Sequence, residues 1–420
     1  MRLSLGQLWR FDASRGGVPP SAQPRRNLGF QDTALTTLPD PIELTRTLVR
    51  INTLPPGGLE SRCIEPLADL LSSAGYQCRV VDMAPGRGTL VARIGGRPDK
   101  APIAFTGHVD VVPLGSAGWT QDPWGADVVD GRLYGRGSSD MKSGVAAFTV
   151  AALACADMAR DGAGITLIIT AGEETGCDGA FHLARQPEAR QWVGQAGALV
   201  VAEPTANAPL RGHKGAFWLK ALAQGKTAHG SMPHLGDNAI YKLARAALAL
   251  EKHDFETPPH PEMGSPSLTV STIQGGININ SVPDAAEMTV DIRTVAGMPH
   301  AQVLRCLCAT AGGEVRLEPL LDLEAVYTGP QDPWMQRVQA LTGETSARHP
   351  ALPIEPARAA VASYFTDAAA LRPLLGMPPT VILGPGEPSM AHQTDEYCVV
   401  DRIPQAQQLF EALVADWHSA

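Results

Sequence analysis

The sequence predicts an α/β protein: a mainly parallel mixed sheet flanked by helices and interrupted by an inserted ferredoxin-like α+β domain. Three observations carry this expectation. Strand-like and helix-like segments alternate from about residue 40 onward, the pattern of a largely parallel sheet. Several strand candidates are unbroken apolar runs, as strands covered on both faces require. The middle of the chain departs from the alternation and reads β-α-β-β-α-β.

The first 38 residues stand apart. Arg2, Arg10, Arg15, Arg25 and Arg26 lie among Gly, Pro and Ser, with only Asp12 and Asp32 as acids. The composition resembles a transit peptide, but Gly16-Gly17 and Pro19-Pro20 interrupt any amphipathic helix, and no long apolar segment marks a secretory signal. A disordered extension or a misassigned start is expected there. Helices follow at about Pro41–Asn52 and Glu60–Ala74, and the longest helical candidate lies between Met141 and Arg160. Strands are expected at Cys78–Asp82, Thr89–Ile94, Ile103–Val112, Ile165–Thr170, Leu199–Ala202 and Thr380–Leu383. In the middle, a strand at Phe217–Ala223, a helix at Asn238–Lys252 and strands at Ser267–Ile273 and Ala286–Arg293 are followed by a helix at Ala301–Thr310 and a strand at Val315–Leu320. Further α/β elements resume at Pro333–Leu341 and Asp367–Leu375. Residues 39–207 and 322–420 would therefore form the larger body, and 208–321 an insertion hinged at Asn207–Arg211 and Leu320–Glu324.

Bulk properties exclude several classes. A chain of 420 residues fits two domains better than one core. A net charge of -9 without a basic stripe gives no footprint for nucleic acid. No apolar stretch approaches the roughly 20 residues of a membrane helix. The 7 cysteines are odd in number and lack a C-x-x-C pair, so neither a disulfide framework nor a thiolate zinc site is suggested. A reducing, cytoplasmic setting is expected.

Chemistry gathers where predicted strands end. Thr106-Gly107-His108-Val109-Asp110 puts His108 and Asp110 on one strand face, where a carboxylate can fix the imidazole tautomer and aim its other nitrogen at a metal. Alone, His108 reads more readily as a structural histidine. Gly135-Arg136-Gly137-Ser138-Ser139-Asp140-Met141-Lys142 places Asp140 at a cleft or at the N-cap of the next helix, and on this segment alone the cap is the better reading. Thr170-Ala171-Gly172-Glu173-Glu174-Thr175-Gly176 sets two carboxylates side by side, costly unless a cation or a proton offsets them, or else fully solvated. Glu203-Pro204-Thr205 and Met390-Ala391-His392-Gln393-Thr394-Asp395-Glu396 follow two further strands. Two histidines and three acids converging from separate strand ends suit a pair of divalent ions, zinc or similar.

These motifs, in the order His-x-Asp, Gly-x-Gly-x-x-Asp-Met-Lys, Glu-Glu, Glu-Pro-Thr and a C-terminal His, resemble the dinuclear zinc family of acetylornithine deacetylase and succinyl-diaminopimelate desuccinylase. The likeness runs from about Asp40 to the C-terminus and implies a zinc-exopeptidase-like body with an inserted lid. It implies that His108 and Glu203 bind one metal, that Glu174 and His392 bind the other, and that Asp140 bridges them. Zinc is implied, with cobalt as a substitute. Glu173 would be the general base and Asp110 the partner of His108. Gly225-Lys226-Thr227-Ala228-His229-Gly230-Ser231 resembles the segment whose histidine steadies the oxyanion, in several relatives from across a dimer. Asn280 and Arg293 sit where relatives hold the substrate carboxylate, a task a guanidinium fits, although Arg293 could instead pair with Asp291. Gly384 and Gly386, in Leu383-Gly384-Pro385-Gly386, would line the substrate, and with Arg211-Gly212-His213-Lys214-Gly215 look more like the deacetylases. Tyr364-Phe365-Thr366-Asp367-Ala368 replaces the desuccinylase run Ser-Gly-Gly-Thr-Ser-Asp-Gly. The resemblance thus implies hydrolysis of an N-acyl amino acid, of N-acetylornithine type, by a homodimer formed through the lid.

Rival classes fit less well. Ser139-Asp140-Met141-Lys142 satisfies the Ser-x-x-Lys of serine acyl-enzymes, but the companion motifs are missing. A P-loop fails because Lys220 stands where its first glycine belongs. A binder that kept the fold and lost the chemistry should lack a ligand or the base, and every role is filled.

Overall fold

The computed structural model describes residues 38–55, 59–97 and 99–419. The extension expected at 1–38 lies outside the described residues except for Leu38. The principal sheet has six strands, β1 (Gln77–Ala84), β2 (Arg87–Ile94), β3 (Ile103–His108), β6 (Ile165–Thr170), β7 (Ala198–Val201) and β14 (Thr380–Ile382), in the order β1-β2-β6-β3-β7-β14. Strands β6, β3, β7 and β14 are parallel, while β1 and β2 join antiparallel at one edge. The sheet is therefore mixed, as expected, with a parallel half.

Both faces of that half are covered, which explains its continuous apolar strands. Because side chains alternate along a strand, Ile103, Phe105, Leu167, Ile169 and Val200 face one layer. That layer consists of α1 (Pro41–Val49), α2 (Ser61–Ser73), α3 (Ser143–Ala154), α4 (Ala156–Asp161), α9 (Pro333–Arg348) and α11 (Arg402–Ser419). Ala104, Ile168, Leu199, Val201 and Ile382 face the other layer, made of α5 (Asp178–Arg185), α6 (Ala189–Val193) and α10 (Ala368–Leu374). Helix α3 is buried from Ser143 to Leu153, so it is apolar all round rather than striped.

Three expectations about elements change. The single helix placed at Met141–Arg160 divides at Cys155 and is preceded by an irregular turn at Ser138–Lys142. The strand expected to reach Val112 ends at His108, where the chain leaves the sheet toward the cleft. Helix α11 was not anticipated, although Ile403, Ala406, Phe410, Leu413 and Val414 carry a helical spacing of apolar residues that would have located it.

The middle segment forms a four-stranded antiparallel sheet, β10 (Ser267–Gly275), β11 (Ala285–Thr294), β9 (Gly215–Gln224) and β12 (Val315–Leu323) in that order, covered by α7 (Ala239–Glu251) and α8 (His300–Ala311). Asn238 caps α7 by accepting from the N–H groups of Ile240 and Tyr241. Strand β12 runs further than expected: Leu321, Asp322 and Leu323 pair with Trp218, Phe217 and Ala216. The hinge placed at Leu320–Glu324 is thus largely held in a sheet. Just beyond it, β8 (Gly212–His213) and β13 (Val326–Tyr327) pair antiparallel and join the two crossing segments to each other. A small sheet of β4 (Val128–Val129), β5 (Arg132–Tyr134) and β15 (Tyr397–Val399) lies beside the cleft loops. No helix among the described residues is long and apolar enough to cross a membrane.

Candidate metal centre

The parallel strands deliver their C-terminal ends to one cleft, the usual ligand position in such sheets. His108 is the last residue of β3, Glu173 and Glu174 follow β6, Glu203 follows β7, and His392 lies between β14 and β15. Asp140 comes from the irregular turn before α3. Its backbone angles are not helical, and α3 starts only at Ser143 with no side-chain cap. The N-cap reading of Asp140 therefore fails, and its carboxylate is free to face the histidines.

The two oxygens of that carboxylate face different partners. Oδ1 lies 3.2 Å from His108 Nε2, which is 3.9 Å from Glu203 Oε1. Oδ2 lies 3.4 Å from His392 Nε2, which is 3.1 Å from Glu174 Oε1. One ligand atom from each of His108, Asp140 and Glu174 falls within 4.8 Å of the others, so the two halves share a single pocket.

His108 Nδ1 lies 3.0 Å from the main-chain carbonyl of Asp110 and 3.6 Å from its carboxylate. A carbonyl only accepts, so Nδ1 carries a proton and Nε2 is the nitrogen that faces the cleft. The Asp110 carboxylate thus lies beside His108 as expected, and it also accepts from the N–H groups of Glu173 and Glu174, at 3.1 Å each, which orients the acidic pair.

The electrostatics mark strained company. Burial pushes the Glu203 carboxyl well above the usual range, helped by Asp140. Burial does the same to Glu173, with Glu203 and Asp367 adding to the effect against the pull of His108. Glu174 is raised by burial although His392 opposes it. Asp140 is lowered: burial works against this, but the facing imidazoles of His108 and His392 prevail. Burial disfavours the charged form of His108, yet Asp140 and the surrounding acids hold its pKa well above normal. Asp140 and Glu174 raise His392 to about 10. Asp140 Oδ1 is also buried without a hydrogen-bond partner. Crowded acids, an orphan oxygen and a set of imidazole and carboxylate donors together fit divalent cations, which would relieve the repulsion and satisfy that oxygen.

The remaining candidates divide. Gly384 and Gly386, expected at the substrate, are buried against ligand-bearing segments. A Cβ on Gly384 would stand 2.3 Å from the Ala202 carbonyl oxygen, and one on Gly386 2.1 Å from that of Ser139, so only glycine permits these approaches. His229 and Asn280 are brought together, since Ser281 bridges to His229 and Gly230 N–H donates to Asn280 O at 2.7 Å. His229 Nδ1 lies 2.8 Å from Ser231 Oγ. Arg293 pairs with Asp291, its Nε 3.0 Å from Oδ1, which is the alternative that the sequence left open. Among the described residues no hydrogen bond or ion pair links these three side chains to the metal-type cluster.

Sequence reasoning gave no role to Glu396 and Asp367. Glu396 is fully buried and bonded to Arg136 and to the Asp140 turn. Asp367, buried behind Glu173 and bonded to Thr170, is raised to about 6 by burial. An ionisable residue beside a motif was the available signal for each, but not its partner.

Residues 104–416 match the description "Peptidase family M20/M25/M40". The chain belongs to this family. It is therefore a metal-dependent hydrolase of the peptidase and deacylase kind. It is 32% identical over 328 residues to a succinyl-diaminopimelate desuccinylase of Cereibacter sphaeroides, covering 74% of this chain and 84% of that one. It is 29% identical over 368 residues to an acetylornithine deacetylase of Vibrio campbellii, covering 84% and 91%. A dinuclear metal-binding M20 peptidase of Bacillus subtilis shares the fold, with a TM-score of 0.62 and 16% identity over 90% of this chain and 98% of that one.

Proposed function

We propose that this M20 hydrolase removes the acyl group from an N-acyl amino acid, as in deacetylation of an N-acetylornithine-type substrate, at a centre of two divalent metals, zinc or cobalt. The observation that carries the reading is the divided carboxylate of Asp140, with one oxygen toward His108 and the other toward His392. His108 and Glu203 would hold one ion, Glu174 and His392 the other, and Asp140 both. Bound there, the ions would acidify water and polarise the amide carbonyl.

The chain's own groups do the rest. Glu173 accepts the proton of the attacking water on a carboxylate oxygen and delivers it to the leaving nitrogen, since an amine leaves poorly unprotonated. Burial raises its pKa, the direction that makes a carboxylate a stronger base. Asp110 holds the Glu173–Glu174 backbone in place. His229 would donate to the oxyanion, and Asn280 and Arg293 would anchor the substrate carboxylate, once the four-stranded unit closes or a second subunit supplies them.

A homodimer through this unit is supported by the exposure of edge strand β10 and of Ile273, Tyr241 and Leu248 around it. The unpaired state of all seven cysteines supports a cytoplasmic setting. A desuccinylase is the second reading, favoured by the 32% identity to such an enzyme. The motifs around Gly384 and His392 favour the deacetylase. A panel of N-acetyl, N-succinyl and N-formyl amino acids compared by kcat/KM tests the proposal: preference for N-acetyl substrates is expected, and N-succinyl preference would transfer the assignment to the second reading. Full activity in metal-free protein would sink both.

A further inference from the structure

We propose that Glu396 is a positioning residue that sets the Asp140–His392 half of the metal centre; the inference rests on the two-metal reading above. Its carboxylate lies wholly inside the protein and every one of its contacts is a donor. Oε1 accepts from the N–H groups of Ser139 at 2.9 Å and Asp140 at 3.0 Å. Oε2 accepts from the Gly137 N–H at 3.0 Å and from Arg136 Nη1 at 2.7 Å. Four donors use about all the lone-pair sites a carboxylate has.

The turn that receives these bonds needs them. Asp140 and Met141 depart from helical angles (φ -117° and -135°), so their segment cannot satisfy its amides as a helix would. Glu396 supplies the missing acceptors from a position 256 residues further along the chain. The same loop is stitched down on both sides. Gly135 N–H donates to Glu396 O at 2.9 Å, Ser139 Oγ donates to Tyr397 O at 2.7 Å, and Thr120 N–H donates to Asp395 Oδ1 at 2.7 Å. Because Glu396 follows His392 by one short turn, its carboxylate adds four bonds to this seam between the segment bearing His392 and the turn bearing Asp140.

The other half of the centre is built differently. His108 and Glu203 follow adjacent parallel strands whose main chains pair directly, Ile103 with Ala198 through Thr106 with Val201. Sheet register fixes their spacing without help from Glu396. Loss of the carboxylate should therefore act unequally on the two ions, more strongly where both ligand segments run through Glu396.

The test is stepwise zinc binding to metal-free full-length protein, measured by competition with a chromophoric chelator, alongside the thermal midpoint of the metal-free form. In Glu396→Gln, which keeps the shape but turns one acceptor into a donor, one binding step should weaken by about 10–100-fold and the other, which shares only Asp140, by a clearly smaller factor. Glu396→Asp keeps the charge that Arg136 pairs with, but it is one methylene too short to reach all four donors at once. It should show the same unequal loss, smaller in size. A lowered thermal midpoint with both zinc steps unchanged, or both weakened alike, would overturn the proposal by showing a merely structural role. Two normal steps in the parent protein with such variants would leave the two-metal reading standing. A parent protein that binds no zinc would overturn that reading and this inference together.

Discussion

Replacing Glu173 with Gln separates its proposed role from that of its neighbour Glu174. Glu173 Oε1 has one near polar contact, the Cys177 sulfur at 3.9 Å, so the change breaks no ion pair. It also removes a charge that Glu203, Asp367 and Glu174 all disfavour. Stability should therefore hold within about 1 kcal/mol, as for substitutions that remove no strong contact. Catalysis should not. A positioned base contributes about 10²–10⁴ in rate, or roughly 3–5 kcal/mol of barrier at 1.36 kcal/mol per decade. The assay pairs initial rates on N-acetyl amino acids with metal content by mass spectrometry, and the variant should lose that rate while retaining near-parental metal. A fall in kcat smaller than about tenfold would remove Glu173 as the base. Loss of a metal would mean that Glu173 is a ligand and that base and ligand have been exchanged.

Three further outcomes are expected. Metal-free protein should lose stability as pH rises from about 7 to 9, because His392, raised to about 10, and His108, raised well above the usual histidine range, keep protons that the unfolded chain has released. Asp140, lowered, acts only at acid pH, and metal-loaded protein should not share the slope; a flat thermal midpoint in metal-free protein over this range would contradict the charge analysis. Gly386→Ala sets a Cβ 2.1 Å from Ser139 O and 2.8 Å from Pro204 Cβ. It should cost about 1–3 kcal/mol in denaturant unfolding and weaken metal binding by shifting the turns of Asp140 and Glu203. Arg293→Ala removes a half-exposed pair with Asp291, worth at most about 1 kcal/mol. If Arg293 anchors the substrate, kcat/KM should still fall by about 10–100-fold, from the roughly 1.5–3 kcal/mol of a charged hydrogen bond. A change within threefold would leave Arg293 with Asp291 alone.

Much of the fold was legible because its signals are local. Ile165–Thr170 is a six-residue apolar run that becomes a strand buried on both faces, with the expected bounds. The β-α-β-β-α-β order of the middle segment survives with shifts of a few residues at its ends. The division at Cys155 and the extension of β12 to Leu323 were less legible, since apolar residues continue across the first and strand pairing decides the second.

The sequence by itself determined which residues could do chemistry and that they stand at strand ends, because a run of apolar residues and the polar residue that follows it are neighbours in the chain. It could not say whether Asp140 caps a helix or faces two histidines, nor that Asp110 binds the backbone of the acidic pair as well as lying beside His108. Only tertiary structure decided these, because the partners lie far along the chain: His392 and Glu174 are 218 residues apart and Glu396 and Asp140 are 256. Contacts at that range depend on how the sheet and its loops pack, and no local periodicity encodes them.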